Sequence, residues 1–564
     1  MPTRHTRSRR FATVALLLAL LPLAPLGCST PNQDPATVPL VVPTDRLAHI
    51  DAILAAYRQG NHDRVNALLQ AFPTDDPAAQ PLARLTQTPV PTTQPNDELT
   101  THRIAESGLA YTEWRHPNAT PTGGARARVA ESSMSLFADA SPPPTPSPAM
   151  VSEPTGMPAR PAGGGGGGDA DWRGAVVRND ASTTFEGEVL TERRLGEVKP
   201  DAPADAEAPP ATAGTLTAGS LDDLANPQPL LDFANTFPDG HPIADRFAGP
   251  NFALRVTDAD GNPLPNAFVL IHDQHDHTFA TLTTAPDGRA ALAAGHDNLP
   301  DTGELFATVY YPGVAPFTTS VHPDTPETHT ITLPDATPEA VGRLDLAFVV
   351  DCTGSMGDEI RYLQAELKDV VSTVAAKHPD TDIRLSLIVY RDTTDDYVVR
   401  VSDWTRDIDA FLALLDKQSA GGGGDYPEAV DQALHAAAGL DWSTQAAARV
   451  VFLVGDAPSH PDHMPSALDA VDELRDSGVR VYPVLGSQDG DEPQLLFRAA
   501  ALLTGARHLF LTDDSGVGGS HVEPEQGASF DVEPLNALMA RILDAELTGQ
   551  PIEKGDAIIR RVDG

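Results

Sequence analysis

Hydrophobic and polar positions along the chain fall into successive regimes, each predicting a different architecture. Over 44–72 apolar residues recur at helical spacing. Leu47, Ile50, Ile53, Leu54 and Tyr57 share one face, and Val65, Leu68, Leu69 and Phe72 share another, with Gly60-Asn61 as the turn. This predicts a helical hairpin, a unit too small to bury its apolar faces alone. Over 73–235 the periodicity is lost in Pro, Ala, Thr and Gly, including six consecutive glycines from Gly163. Such a stretch buries too little apolar surface to offset its ordering entropy, and it reads as a long disordered tether with islands near 104–114 and 172–198. Over 248–335 short alternating segments are separated by Asp-Gly and Pro-rich turns, which predicts an antiparallel β-sandwich.

From 341 to 549 buried-strand runs alternate with amphipathic stretches. Strands are expected at 344–350, 383–390, 397–401, 449–455, 479–485 and 508–511. Helices are expected at 359–377, 408–417, 427–440, 466–477, 493–503 and 532–547. The predicted fold is therefore α/β, a doubly wound, mostly parallel sheet preceded by the sandwich and the tether, with 550–564 as a peripheral tail.

Composition narrows the partners. A formal net charge of −40 over 564 residues argues against nucleic acid, and two cysteines exclude a disulfide framework. Arg4, Arg7, Arg9 and Arg10 precede an apolar run over 11–26 and then Gly27-Cys28-Ser29, the outline of a bacterial export signal over 1–28. The Gly-Cys junction resembles a lipobox, which implies lipidation of Cys28 and an exported lipoprotein anchored in the cell envelope, in the periplasm or at the cell surface. An ordinary cleaved signal is the alternative. The run is too short and Pro-broken for a spanning helix.

The chemistry concentrates at the carboxyl ends of three predicted strands or loops. The run ending at Asp351 leads into Cys352-Thr353-Gly354-Ser355-Met356. Asp351, Thr353 and Ser355 alternate, so their oxygens can converge above the sheet, where open α/β sheets place ligands. One carboxylate and two hydroxyls suit a hard cation such as Mg²⁺. A glycine loop (421–424) opens a helix carrying Asp425 and Glu428, and another buried strand ends in Asp456. Either loop acid, with Asp456, would complete an oxygen shell.

These stretches resemble a von Willebrand factor type A domain, whose metal-ion-dependent adhesion site uses a DxSxS turn, a later Thr or Glu, and an Asp. The GDYPEA loop is similar to the DxPE loop of integrin beta subunits, which assigns Glu428 as ligand beside Asp351, Thr353, Ser355 and Asp456. Asp425 becomes a residue supporting the ligands or a direct ligand in place of Glu428. Asp358 and Glu359 match the acidic pair at which integrin beta subunits bind an adjacent Ca²⁺, although such acids also favour a helix start. With VYRD (389–392) and GDAPSH (455–460), the pattern resembles a subgroup found in bacterial proteins and beside protist alpha-type kinases, but no kinase motif set is present. The resemblance implies Mg²⁺ (or Mn²⁺ or Ca²⁺) and a protein ligand binding through an acidic side chain. Three acids around the cation would weaken its pull on that ligand.

The rest of the polar inventory reads more plainly. The sandwich segment resembles carboxypeptidase-regulatory or transthyretin-like repeats, usually spacers or binding modules. Asp258, Asp260 and Asn262 begin like a calcium loop but lack its closing Glu, so a β-turn is expected. His272, Asp273, His275, Asp276 and His277 read as a solvated hairpin tip, His460 and His463 as a rim, and Cys352 as a buried lone thiol. No Ser-His-Asp order, zincin helix or phosphate-binding loop is evident, so no enzyme is expected. The alternatives to an adhesion-type binding protein are a structural surface component with a degenerate metal site and a metal-assisted hydrolase.

Overall fold

The computed structural model describes residues 53, 67–71, 98–103, 110–115 and 211–563, without 276, 301–303, 323–327, 425, 445, 488–489 and 525–527, and gives only the backbone at 98–103 and 110–115. The export signal with Cys28, most of the 44–72 hairpin, the 172–198 island, Asp276 and Asp425 lie outside these residues, as does the rest of 123–210.

Strands β1 (Glu98–Arg103), β2 (Ala110–Arg115) and β3 (Thr217–Leu221) and helix α1 (Gln228–Ala234) come first. Seven strands follow: β4 (Asn251–Thr257), β5 (Phe268–Asp273), β6 (Thr278–Thr283), β7 (Arg289–Ala293), β8 (Leu305–Tyr310), β9 (Phe317–Val321) and β10 (His329–Thr332). The α/β region then runs β11 (Arg343–Asp351), α2 (Ile360–Lys377), β12 (Asp382–Tyr390), β13 (Val399–Ser402), α3 (Ile408–Leu415) and α4 (Val430–Ala438). It continues through β14 (Ala448–Gly455), α5 (Met464–Asp476), β15 (Arg480–Leu485), α6 (Glu492–Thr504), β16 (His508–Leu511), β17 (Phe530–Pro534), α7 (Leu535–Thr548) and β18 (Arg560–Val562).

One sheet has the order β1-β2-β13-β12-β11-β14-β15-β16-β3-β17-β18. Its middle, β12-β11-β14-β15-β16, is parallel, and antiparallel strands extend it on both sides. The unbroken apolar runs follow from burial on both faces. Ala347 and Val349 pack with α4, α5 and α6, while Leu346, Phe348 and Val350 pack with α2, α3 and α7. Register sets Asp351 level with Tyr390, so the polar residues beyond these strands gather at one edge.

The sandwich pairs a three-stranded sheet (β10-β4-β7) with a four-stranded one (β6-β5-β8-β9) over its own core of Phe252, Val269, Leu282 and Val309. The β10–β4 pair is parallel, where antiparallel pairing is expected throughout. Alternation encodes which face is buried, not strand direction.

The sandwich is bolted to the amino-terminal edge of the large sheet. Arg480, at the start of β15, donates to Asp287 (2.7 Å) and Glu546 (2.6 Å), and Arg475 donates to Asp297 (2.8 Å). Arg449, at the start of β14, donates to Asn266 (3.0 Å). These cations are buried, and each has a carboxylate or amide partner, the condition under which buried charge is tolerated. The carboxyl edge stays open.

Three expectations are corrected. The tether reading fails at 98–103, 110–115 and 211–235: β2 pairs with β13, and β3 lies inside the sheet between β16 and β17. Gly219 is needed there, because a Cβ would collide with the Phe510 ring. The last helix begins at Leu535, since Phe530–Pro534 is a strand, and the tail contributes β18 against it. The helix expected from 427 begins at Val430 because Glu428 is held in a parallel bridge with Ser459, its N–H donating to the Pro458 carbonyl (2.9 Å).

Candidate functional site

Asp351 ends β11, and the chain then turns back under main-chain restraint. The Cys352 N–H donates to the Tyr390 carbonyl (2.9 Å), while the Gly421 N–H donates to the Cys352 carbonyl (3.0 Å) and the Gly354 N–H to the Gly422 carbonyl (3.1 Å). The strand-end turn and the glycine loop are thus stitched together. Gly422 and Gly423 adopt φ of +79° and +72°, and at Gly422 a Cβ would also strike the Asp395 carboxylate. Arg391 completes the clamp, donating to the carbonyls of Cys352 (3.0 Å) and Ser419 (3.1 Å).

Inside this frame one Asp351 oxygen accepts from the Thr353 N–H (2.8 Å) and hydroxyl (2.7 Å), and the Thr353 and Ser355 hydroxyls are 3.1 Å apart. Glu428 and Asp456 reach the same hollow, both buried. One oxygen on each acid, Asp351 Oδ2, Glu428 Oε2 and Asp456 Oδ1, is buried with no hydrogen-bond partner. Burial first, and then neighbouring carboxylates, pushes Glu428 up to about 10. Asp351 and Asp456 also lie above the usual carboxylate range, chiefly through burial, and the Asp456 charge adds to the rise at Asp351. Such orphaned, crowded carboxylates carry a large desolvation cost unless a cation or proton offsets it.

The donor set fits a hard cation by chemistry: buried carboxylate oxygens beside two hydroxyls, with no nitrogen or sulfur ligand. Among the described residues no group of three or more His, Cys, Asp or Glu closes on a single point. Cys352 is fully buried and its thiol is pushed up to about 12, chiefly by burial.

The acidic pair behaves unequally. Asp358 is exposed on the hollow's wall, whereas Glu359 turns inward. Glu359 Oε1 accepts from the Ser487 hydroxyl and lies 3.2 Å from His521 Nε2, and His521 Nδ1 is 2.9 Å from Asp513. Ser487, Asp513 and His521 escape sequence reading because they come from two loops, one after β15 and one after β16. Their order superficially suits a nucleophilic triad, with 3.4 Å from Ser487 Oγ to His521 Nε2. Nε2 also faces the Glu359 carboxylate, which competes with Ser487 for it, and the two carboxylates raise the imidazole's pKa against the opposing effect of burial. The network ties the 513–521 loop to the start of α2.

The rim residues also have partners. His460 Nε2 lies 2.8 Å from Asp392, and His463 lies 3.5 Å from Asp431. Asp258 accepts from the N–H groups of Asp260 (2.9 Å) and Asn262 (2.8 Å), a turn closed on itself. Asp273 does the same for His275 (2.7 Å) and His277 (2.9 Å), while His272 is 2.8 Å from Thr308.

A mostly parallel sheet covered on both faces, with an oxygen-lined hollow at its carboxyl edge, defines a doubly wound α/β domain. Comparison narrows this region: residues 345–494 match the von Willebrand factor A domain. The chain is 30% identical over 144 residues to the alpha-protein kinase vwkA of Dictyostelium discoideum, covering 25% of this chain and 23% of that protein. It is 27% identical over 186 residues to the ariadne-like RING finger protein R811 of Acanthamoeba polyphaga mimivirus, covering 30% of this chain and 18% of that protein. The chain thus spans under a quarter of the length of these relatives. Among solved structures, a von Willebrand factor type A protein from Catenulispora acidiphila is 13% identical with a TM-score of 0.25, covering 51% of this chain and 50% of that one. The pilus adhesin SpaC of Lactobacillus rhamnosus GG is 12% identical with a TM-score of 0.24, covering 36% and 29%. Likeness at that level carries no functional weight.

Proposed function

We propose that this is an exported, membrane-anchored binding protein that recognises a protein partner at the carboxyl edge of its von Willebrand A sheet, where it holds a divalent cation. The observation that carries the reading is the trio of orphaned buried oxygens on Asp351, Glu428 and Asp456 beside the Thr353 and Ser355 hydroxyls. These five residues would hold Mg²⁺, Mn²⁺ or Ca²⁺, some through water. When bound, the ion supplies an open oxygen-accepting position, and the resemblance makes an acidic side chain of the partner its expected ligand. The chain's own contribution is preorganisation. Arg391 and the glycine loop fix the Asp351 turn, and the Glu428–Ser459 bridge fixes Glu428. A von Willebrand A domain fits a binding role, and the carboxylate-locked His521 supports a non-catalytic reading. Export and anchoring rest on the arginines before the apolar run and on Cys28. No described helix is long and apolar enough to cross a membrane.

Calorimetric titration of the three ions into the whole chain, beside Asp351→Asn and Thr353→Ala, tests the metal. Saturable binding lost in both variants is expected. No binding of any ion to the wild type overturns the reading.

A further inference from the structure

The oxygens of the proposed metal site come from separate segments, and one peptide unit of the glycine loop is gripped between two further ones. The Gly422 carbonyl accepts from the Gly354 N–H, in the turn after β11 (3.1 Å). The N–H of the same peptide, on Gly423, donates to Asp395 Oδ2 in the loop after β12 (2.8 Å). A trans peptide points its C=O and N–H in opposite directions, so this unit is held from both sides. The Asp395 end of the grip is itself fixed. Asp395 is buried, its Oδ2 also accepts from the Asp392 N–H (3.1 Å), and its own N–H donates to the Asp392 carbonyl (3.2 Å). The Arg391 N–H donates to the Val398 carbonyl (2.9 Å), which closes that loop across its base. What the grip places is Gly423. A Cβ built there would lie 3.0 Å from Glu428 Oε1 and 3.3 Å from Thr353 Cβ, so the residue is wedged between two of the five proposed ligands. A Cβ on Gly422 would strike the Asp395 carboxylate, so the loop also rests directly on that side chain.

We infer that Asp395, which lies outside the proposed ligand set, is a positioning residue: it fixes the spacing between Thr353 and Glu428 and thereby tilts the site towards Mg²⁺ over Ca²⁺. This rests on the metal reading proposed above. Mg²⁺ demands near-octahedral oxygens at about 2.1 Å, whereas Ca²⁺ accepts a looser and more variable shell at about 2.3–2.6 Å. A ligand set braced by a buried clamp suits the smaller ion, and a loosened set loses that ion first. Asp395 acts through the Gly422–Gly423 peptide, so its effect depends on the acceptor oxygen it offers and not on its charge alone.

The test is calorimetric titration of Mg²⁺ and of Ca²⁺ into the whole chain and into Asp395→Ala, Asp395→Asn and Gly423→Ala. Asp395→Ala removes the acceptor and should weaken Mg²⁺ roughly ten- to hundredfold, the usual loss when a residue supporting a metal ligand is removed, with a clearly smaller loss for Ca²⁺. Asp395→Asn keeps an oxygen for the two N–H groups and should retain most of the affinity and the wild-type ratio between the ions, which separates placement from charge. Gly423→Ala drives a methyl between Thr353 and Glu428 and should repeat the Asp395→Ala result with Asp395 intact. A merely structural role would lower both affinities together and leave their ratio where it was. Wild-type affinities in Asp395→Ala, equal losses for the two ions, or an Asp395→Asn chain that fares as badly as Asp395→Ala overturns the inference. Should Asp395→Ala fail to fold by circular dichroism, the ion ratio in Gly423→Ala and Asp395→Asn decides. A wild type that binds neither ion overturns the metal reading itself, whereas a wild type that binds, with variants that match it, overturns this inference alone.

Discussion

Replacing Glu428 by Gln keeps the shape of a buried side chain and removes the need to hold a proton on one of three crowded carboxyls, so the variant should be more stable than the wild type when no metal is present. Burial, followed by the charges of Asp351, Asp392, Asp395 and Asp456, moves this carboxyl from 4.5 to about 10. A raised carboxyl value means that the folded chain keeps a proton that the unfolded chain has released, so stability falls as pH rises between those two values. The limiting slope is about 1.4 kcal/mol per pH unit. If relaxation around the site halves the slope, the folded state at about pH 8 carries a penalty of roughly 2 kcal/mol that Gln lacks. For a folded unit of this size that amounts to several degrees in Tm. Thermal unfolding in chelator, followed by circular dichroism between about pH 6 and about pH 8, measures it. The variant should melt higher, with the gap widening as pH rises, and Mg²⁺ should stabilise the wild type more than the variant. A lower Tm for Glu428→Gln in chelator, or a gap independent of pH, would refute the account of the site as a charge-crowded hollow.

Further outcomes follow from the same geometry. Because all three acids are raised, cation binding near neutral pH should release about one proton or more, measurable by calorimetry in buffers of different ionisation enthalpy; zero release refutes it. His508 on β16 is fully buried with neither ring nitrogen partnered, and burial, with the nearby Arg498 charge, lowers its value well below 6.5. The unfolded chain therefore binds the extra proton, and the stability from this neutral ring is complete above 6.5 and lost as pH falls below it. Denaturant unfolding of His508→Leu should show a flatter acid limb than the wild type. Gly219→Ala should cost about 1–3 kcal/mol by driving a methyl into Phe510 and should speed proteolysis before residue 217. Asp297→Ala, which leaves the buried Arg475 with Asp472 alone, should cost about 2–4 kcal/mol in the denaturant midpoint.

The α/β region was legible because its strands are buried on both faces and end abruptly in acids. That punctuation places Asp351, Thr353, Ser355 and Asp456 at one sheet edge with either Asp425 or Glu428, and only the family resemblance selects Glu428. What escaped depends on contacts between distant loops. Nothing local marks Ser487 as a donor to Glu359, or His460 as the partner of Asp392. Glu359 itself was read with Asp358 as one acidic pair, yet one faces solvent and the other the interior, a distinction that only tertiary packing makes. The segment around β3 was hidden by averaging: Thr217–Leu221 is short, and the Pro- and Ala-rich residues before it dominate any window. Its burial comes from the neighbouring strands, not from its own pattern.

That strand has a consequence for the order of events in synthesis. Thr217 meets Thr512 across 295 positions, and Asp223 is buried against Arg498 across 275. A nascent chain halted before residue 508 therefore holds β3 with neither neighbour made, and β16 would later emerge beside an unfilled slot. Contacts of such sequence separation close slowly, because the loop entropy is lost before any pairing is gained. The sheet is completed only when almost the whole polypeptide exists. If the chain is exported as proposed, this delay keeps it threadable until β16 and β17 arrive.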